Sequence, residues 1–310
     1  MIAKNSIFTS VLVVGCVIIL VSFAIRSSFG VFQIPIAEEF NWLRSEFSLA
    51  IALQNLAWGI GQPIFSAIAE KIGDRRAIII GGFTYASGLL LSSAAMTPQA
   101  HQIYEVLVGF GVAGTGFGVI LAVVGRASSE KNRSMSLAIA TASGSAGQVI
   151  GAPIGELLLN YMPWQSVFVI FAITILSTLL LLPFMRVPVA INHRNATQSM
   201  SDLVGKAVVD PSYSMIFLGF FSCGYQLGFL TAHFPAFVTE MCNPILPGSG
   251  IYNLGITSTS ALGAISISLI GLANIAGTLG AGYLGKTYSK KYLLSLIYFG
   301  RTLVLSLIHI

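Results

Sequence analysis

The chain has 310 residues, of which 55% are hydrophobic and only 9% are charged. A soluble domain usually carries about a quarter charged residues, mixed throughout its sequence. The net charge of +5 could suggest a nucleic-acid partner. The basic residues, however, lie in short clusters between long apolar runs, and this placement argues against that class. The composition therefore predicts an integral membrane protein that crosses the lipid bilayer several times.

Nine apolar runs of about 20 residues or more, the length that a helix needs to cross a bilayer, follow one another along the chain. They cover roughly residues 7–37, 45–69, 77–97, 102–125, 134–159, 164–185, 214–238, 258–284 and 292–310. Each run contains Gly, Ser or Thr, the residues at which membrane helices pack on one another. The first run is too long for the core of a signal peptide, so we expect it to remain as a helix.

The distribution of basic residues predicts the topology. Of the 16 Lys and Arg residues, 12 lie in the loops after the second, fourth, sixth and eighth runs, whereas the opposite loops contain Arg44 alone. The positive-inside rule places the basic loops and the N-terminus in the cytoplasm. We therefore expect a multi-pass protein of the inner or plasma membrane with a cytoplasmic N-terminus.

The chain also contains an internal repeat. SFAIRSSFGVFQIP (22–35) aligns with SCGYQLGFLTAHFP (222–235), so that Arg26 corresponds to Gln226. The basic turns after the second and eighth runs correspond as well. Six helices repeated in parallel are the architecture of the two halves of major facilitator transporters.

The loop after the second run resembles the signature loop of the major facilitator superfamily. Ser66-x3-Glu70-Lys71-x-Gly73-x-Arg75-Arg76 matches the pattern G-x3-[DE]-[RK]-x-G-x-[RK]-[RK], with Ser66 in place of the first glycine. Several stretches also resemble the monocarboxylate-transporter and oxalate/formate-antiporter-like branch. They are FNWLRSEFSLA (40–50), KNRSMSLAIATASGSAGQVIGAPIGELL (131–158), AHFPAF (232–237) and IYFGR (297–301).

This resemblance implies an all-α integral membrane protein with the major facilitator fold, in which about nine of 12 transmembrane helices are present. It divides the chain into an N-terminal six-helix half (1–186), a cytoplasmic linker (187–212) and a partial C-terminal half (213–310). The last six residues, LSLIHI (305–310), correspond to one reading frame of a transposon-type sequencing adapter. We therefore expect a C-terminally truncated chain in which these six residues are not native.

Arg26 is the candidate site residue that most needs an explanation, because an arginine inside an apolar helix costs several kcal/mol on most scales. Ser22, Arg26 and Gln33 share one helix face. To reach the bilayer surface, Arg26 would have to extend along about 10 residues of its own helix, which its side chain cannot do. We expect this stripe to face the bundle or a water-filled cavity. There the planar guanidinium could bind a carboxylate through two parallel hydrogen bonds; the alternative is a structural or gating ion pair, for which Glu105 is the obvious acid.

Other polar side chains lie where the repeat or the family geometry places the central cavity, and they are further candidates for substrate contact: Gln33, Gln54, Asn55, Gln148, Tyr225, Gln226, His233 and Arg301. Buried amides such as Gln54 more often hold helices together. His233 could couple transport to a proton or could bond a helix end. Arg301 could instead pair with a residue of the absent helices.

The resemblance also implies a role for the signature loop. In the family, the acidic residue, here Glu70, and the basic residues, here Lys71, Arg75 and Arg76, form contacts that hold the cytoplasmic side shut in one state. Gly73 lets the backbone reverse. The alternative is a topology signal that only fixes a tight turn. Because such switches join two arrangements that differ by a few kcal/mol, loss of Glu70 should change transport rate more than substrate choice.

The sequence shows no paired carboxylates, no nucleophile–base pair and no metal-ligand spacing, so we expect neither an enzyme nor a cofactor or metal. The interpretation that fits best is a secondary transporter, a symporter or antiporter that works by alternating access. Its substrate would be a small organic anion such as a monocarboxylate or dicarboxylate, with a proton as the candidate coupling ion. The alternatives are an exporter of hydrophobic compounds from the same superfamily and a non-transporting membrane scaffold or sensor.

Overall fold

The structure is a computed structural model that describes residues 7–185 and 200–308, and these residues form a bundle of helices. In chain order the helices are α1 (Ser10–Phe40), α2 (Arg44–Ile72), α3 (Asp74–Ser93), α4 (Pro98–Thr115), α5 (Phe117–Ala127), α6 (Glu130–Leu159), α7 (Trp164–Leu179), α8 (Met200–Val209), α9 (Pro211–Met241), α10 (Gly250–Asn253), α11 (Thr259–Leu284) and α12 (Lys290–Ile308). Residues 187–199, half of the predicted linker, lie outside the described residues, as do 309–310 of the final six.

Each predicted apolar run coincides with a long helix, or in the fourth case with the pair α4 and α5. Helix α8 lies within the predicted linker, and α9 begins at Pro211, near the predicted start of the C-terminal half. Six segments of the described chain are long and apolar enough to cross a membrane. They are Ser10–Phe40, Pro98–Ala127, Glu130–Leu159, Trp164–Phe184, Pro211–Met241 and Thr259–Leu284. The predicted all-α membrane fold is therefore confirmed.

Side-chain caps and left-handed turns fix where the helices begin and end. The Thr9 hydroxyl accepts a hydrogen bond from the backbone N–H of Leu12 at the start of α1, and Asn41 ends that helix in the left-handed region at φ 52°. Thr97 caps α4 in the same way, with Pro98 in the first turn, where its missing N–H costs nothing. These local signals set the lengths of the helices that carry the site.

Close helix packing depends on glycines at the crossings. At the crossing of α3 and α4, a Cβ added to Gly81 would lie 2.6 Å from the Cα of Gly114. Along the α1–α6 contact, a Cβ on Gly147 would lie 2.2 Å from the backbone oxygen of Leu20. Small residues bring backbones together because helices in lipid gain their association energy mainly from packing. The result is that α1 is enclosed along most of its length.

The C-terminal helices contact the N-terminal ones through α1–α9 and α6–α11. Gly30 of α1 lies against α9, where an added Cβ would be 2.3 Å from the backbone oxygen of Thr231. We call the end of the bundle that carries the basic loops the basic end, and the other the opposite end. At the opposite end Arg44 forms an ion pair with Glu240 of α9. The two sets of helices are therefore in contact at the opposite end.

We predict that replacement of Gly81 by leucine destabilises the bundle, because the added side chain has no space beside Gly114. Overpacking of this kind costs roughly 1–3 kcal/mol or more. The measurement is the thermal midpoint of the purified protein in detergent. The control is Gly59→Leu on α2, because a Cβ there meets no atom within 4 Å. Equal midpoints for the two variants would contradict the predicted α3–α4 contact.

Candidate functional site

Arg26 lies in the interior of the bundle with 7% of its surface exposed. It precedes the end of α1 at Phe40 by 14 residues, or roughly 21 Å at the helical rise. One guanidinium nitrogen donates a hydrogen bond of 2.7 Å to Oδ1 of Asn55. The guanidinium carbon also lies 4.6 Å from the ring centroid of Trp58 and 5.9 Å from that of Phe23. Arg26 thus rests on aromatic faces and uses one of its five N–H donors on an amide.

The positive charge of Arg26 has no counter-ion among residues 7–185 and 200–308, in which the ion pairs are Arg44–Glu240 and Arg126–Asp74. The acid considered as its alternative partner, Glu105, bonds Gln54 and Ser92 instead. A cation–π contact is worth about 0.5–2 kcal/mol. That is less than the cost of a guanidinium in hydrocarbon, so the aromatic faces alone do not compensate its burial.

The cluster around Arg26 also contains an unpaired donor. The indole N–H of Trp58, whose ring contacts the guanidinium, is buried and has no hydrogen-bond partner among the described residues. The same holds for the side-chain N–H group of Gln148 on α6. A buried donor left unpaired costs about 1–3 kcal/mol. The arrangement can therefore accept a group that is rich in acceptor oxygens.

The rest of the α1 stripe is buried as expected. The Ser22 and Thr115 hydroxyl oxygens lie 3.0 Å apart, and the backbone oxygen of Ser22 accepts a hydrogen bond from the Tyr85 hydroxyl at 3.1 Å. Gln33 is 3% exposed, nearer the opposite end. Ser22 therefore helps to pack α1 against α3 and α4, while Arg26 and Gln33 remain candidates for substrate contact.

The repeat-related part of α9 has its own arginine contact. Arg301 of α12 donates a hydrogen bond to Oε1 of Gln226, the residue that corresponds to Arg26. His233 is half-buried, with its ring centroid 5.1 Å from that of Phe229, and Tyr225 is largely exposed. The structure therefore joins Arg301 to Gln226, whereas Tyr225 has no such contact with the described part of the chain. The roles of all four in substrate binding stay predictions.

Trp58 is a neighbour of Arg26 that sequence reasoning missed, and Asn55, a candidate for substrate contact, was not recognised as a hydrogen-bond partner of Arg26. They are three positions apart on α2 and so share a face of that helix. From the sequence alone, this polar and aromatic face of α2 could have been considered as a partner for the polar stripe of α1. Gln54, the candidate next to Asn55 in the sequence, instead donates a 2.7 Å hydrogen bond to Glu105.

The signature loop forms the tight turn between α2 and α3. Gly73 has φ +97°, a conformation that side chains rarely adopt, and its N–H bonds the carbonyl of Ala69. Arg75 donates through Nε to the backbone oxygen of Met185 at 2.8 Å, after α7. Ser66 donates to the Gln62 carbonyl one turn earlier. The remaining charged members of the loop are exposed: Glu70, Lys71 and Arg76.

Asp74 is a residue of this turn that the motif leaves unspecified. Its carboxylate is buried at the start of α3 and lies 2.5 Å from Nη2 of Arg126 in the last turn of α5. The N-terminus of a helix favours a negative charge, and the C-terminus a positive one. The sequence signal was therefore present: an acid directly after Gly73 and a base at the end of the fourth run. The pair ties two loops of the basic end together.

We predict that Asp74 and Arg126 are energetically coupled. In a double-mutant cycle with Asp74→Asn and Arg126→Gln, we expect a coupling free energy of about 1 kcal/mol, at the upper end for a pair with one exposed partner. Thermal unfolding in detergent measures it. Glu70→Gln combined with Arg126→Gln is the control and should be additive, because Glu70 is exposed and not bonded to Arg126. Additivity in both cycles would contradict the predicted coupling.

Comparison with known proteins agrees with this architecture. The sequence pattern of the Major Facilitator Superfamily matches residues 14–309. The uncharacterized MFS-type transporter YcxA of Bacillus subtilis is 27% identical over 90% of this chain and 66% of its own length. Monocarboxylate transporter 13 of Bos taurus is 31% identical over 54% of this chain and 37% of its own length.

The crystal structure of a D-xylose–proton symporter has the same fold, with a TM-score of 0.57 at 14% identity over 88% of this chain and 67% of the symporter chain. The chain spans about two thirds or less of the length of the curated relatives described above. The match to the family pattern extends from α1 to α12. Because the family pattern covers nearly the whole chain, the chain belongs to the major facilitator superfamily.

Proposed function

We propose that the whole protein is a secondary transporter that moves a small organic anion, such as a monocarboxylate or dicarboxylate, by alternating access. The observation that carries the proposal is the buried guanidinium of Arg26, which has no carboxylate partner among the described residues. The likeness to a protein named as a monocarboxylate transporter supports the same substrate class. The basic loops support a cytoplasmic N-terminus in the inner or plasma membrane.

The chemistry of the Arg26 cluster favours a carboxylate. A bound carboxylate would supply the missing counter-ion and would occupy two N–H groups of the guanidinium fork at once. The unpaired indole N–H of Trp58 could donate to the same anion. Each hydrogen bond to a charged group is worth about 1.5–3 kcal/mol. A bound anion would thus supply the counter-ion and the hydrogen-bond acceptors that the site lacks without one.

Residues from the other half would complete the site. Arg301 and Gln226 form a second polar contact at the repeat-related place, and Gln33 and His233 lie nearer the opposite end. A small anion held between a cation on each half would be released when the halves separate on one side. Opening of the opposite end would break the Arg44–Glu240 pair, which joins α2 to α9.

We predict that Arg26→Ala weakens binding of the transported anion by at least roughly tenfold, since it removes two charge-assisted hydrogen bonds. Arg26→Lys should recover only part of the loss, because lysine keeps the charge without the planar fork. The measurement is uptake of labelled lactate, pyruvate and oxalate by the whole protein in proteoliposomes. Arg133→Ala is the control, because Arg133 is exposed and bonds a backbone oxygen at the basic end.

Unchanged anion uptake by Arg26→Ala would refute the proposal. Export of hydrophobic compounds by the same liposomes, with no anion uptake by the unmodified protein, would favour the exporter alternative, in which Arg26 serves gating. An unmodified protein whose thermal midpoint does not change across a panel of anions, and which moves no solute, would favour a scaffold or sensor.

We also predict a specific role for the Trp58 indole. Trp58→Phe keeps an aromatic face under the guanidinium but removes the N–H donor, so we expect anion affinity to fall about threefold to tenfold while the protein still folds. The control is Trp164→Phe, since that indole donates to Glu39 near the opposite end. Equal affinities of Trp58→Phe and the unmodified protein would exclude the indole N–H from the site.

A further inference from the structure

A second buried polar cluster lies between α2, α3 and α4, nearer the opposite end than Arg26. Its centre is Glu105, which is fully buried, two turns into α4. Oε2 of Glu105 accepts a 2.7 Å hydrogen bond from the Gln54 amide, and Oε1 lies 2.8 Å from the hydroxyl of Ser92. That hydroxyl is also 2.7 Å from Nδ1 of His101. The proposed substrate chemistry at Arg26 does not use this cluster.

The hydrogen count of this cluster permits two states. The Ser92 hydroxyl carries one hydrogen but bonds both Glu105 and His101, so one further hydrogen must come from a neighbour. In the first state Nδ1–H of His101 donates to Ser92, which donates to an ionised Glu105. In the second state a protonated Glu105 donates to Ser92, which donates to the bare Nδ1 of His101. The second state holds one more proton than the first when the imidazole carries its hydrogen on Nε2.

His101 provides the atom at which that proton can enter. Its Nε2 is buried and has no hydrogen-bond partner among the described residues. The ring lies 5.9 Å from each of the Trp42 and Phe47 rings, in the first turn of α4 at the opposite end. Nε2 is therefore an unpaired polar atom on the side of the cluster nearer that surface.

We propose that His101, Ser92 and Glu105 form a proton-binding relay. A proton adds to Nε2 of His101, the Nδ1 hydrogen passes to the Ser92 oxygen, and the Ser92 hydrogen passes to Oε1 of Glu105. The relay takes up one proton and ends with a neutral carboxyl group and a neutral imidazole in its other tautomer. The reverse sequence releases the proton at Nε2, so the relay needs no other reactant.

No group around Glu105 fixes its charge, so the charge depends on whether Glu105 holds this proton. From α2 it faces Gln54, while Glu46 of the same helix bonds Gln102. From α3 it faces Ser92, and Tyr85 of the same helix lies near both Glu105 and Arg26 of α1. Helix α5, which also packs on α4, carries its charge at the basic end in Arg126, paired with Asp74. None of these is a cation within ion-pair distance of Glu105, so no fixed charge holds it ionised.

Helix α2 connects the relay to the candidate anion site. Gln54 donates to Glu105, and the next residue, Asn55, accepts from Arg26. Protonation of Glu105 converts the charge-assisted bond from Gln54 into a weaker neutral one. A change in the position of that segment of α2 would then alter the hydrogen bond between Asn55 and Arg26. This coupling rests on the proposed anion transport, whereas proton binding by the relay does not.

The first experiment tests the relay without any substrate. Acidification of the whole protein should produce infrared carbonyl absorption from its protonated carboxyl groups, with one component that belongs to Glu105. This Glu105 band should be absent in Glu105→Gln and present in the control Glu46→Gln. A second variant, His101→Asn, keeps a donor near the Nδ1 position but lacks Nε2, so the band should appear at least tenfold more slowly. The same pH-dependent band in Glu105→Gln, or an unchanged rate in His101→Asn, would overturn the relay.

The second experiment separates failure of the relay from failure of the proposed function. In proteoliposomes, an inward pH gradient should stimulate anion uptake by the unmodified protein and by Glu46→Gln. Glu105→Gln should retain anion exchange but lose the stimulation. Persistence of the stimulation in Glu105→Gln would overturn the coupling. Complete absence of anion transport by the unmodified protein, with the Glu105 band still present, would refute the proposed function and leave the relay standing.

Discussion

The constraint on which the rest of this structure depends is a permanent positive charge inside a bundle of apolar, membrane-spanning helices. Arg26 cannot lose its charge and cannot reach water along its own helix, so the helices around it must make up for its burial. Trp58 and Asn55 do so in part. The remaining cost is the reason to expect an anion there, because a partner that arrives and leaves can compensate a charge without fixing one conformation.

Glycine packing is what allows such a charge to be placed so deep. Because Gly147 and Gly81 bring backbones into direct contact, α1 is enclosed by neighbouring helices and its polar face is kept away from lipid. The same tight contacts make the N-terminal helices a stiff unit. A stiff unit can carry a change made near Glu105 to Arg26 through one segment of α2, since packed interfaces shift as a whole rather than deform.

The sequence alone predicted the features that depend on one helix at a time. Periodicity placed Arg26 on an inward face, and the turn chemistry of Gly73 required a glycine, since its φ is +97°. It could not predict contacts that depend on how helices are rotated against each other. Glu105 was considered as a partner for Arg26, yet it bonds Ser92 and Gln54. Asp74 was passed over because the motif leaves its position open, although its contact with Arg126 joins two loops distant in sequence.

The fourth apolar run is interrupted at Gly116, where the backbone is extended between α4 and α5. The run therefore consists of two helices joined at Gly116, with Glu105 on the first helix and Arg126 on the second. A single straight helix would hold both ends of the run on one axis. With a break between them, the part that holds the buried carboxyl group packs mainly against α2 and α3, while the part that is tied to Asp74 packs against α6 and α1, so that one crossing of the membrane serves two different sets of neighbours.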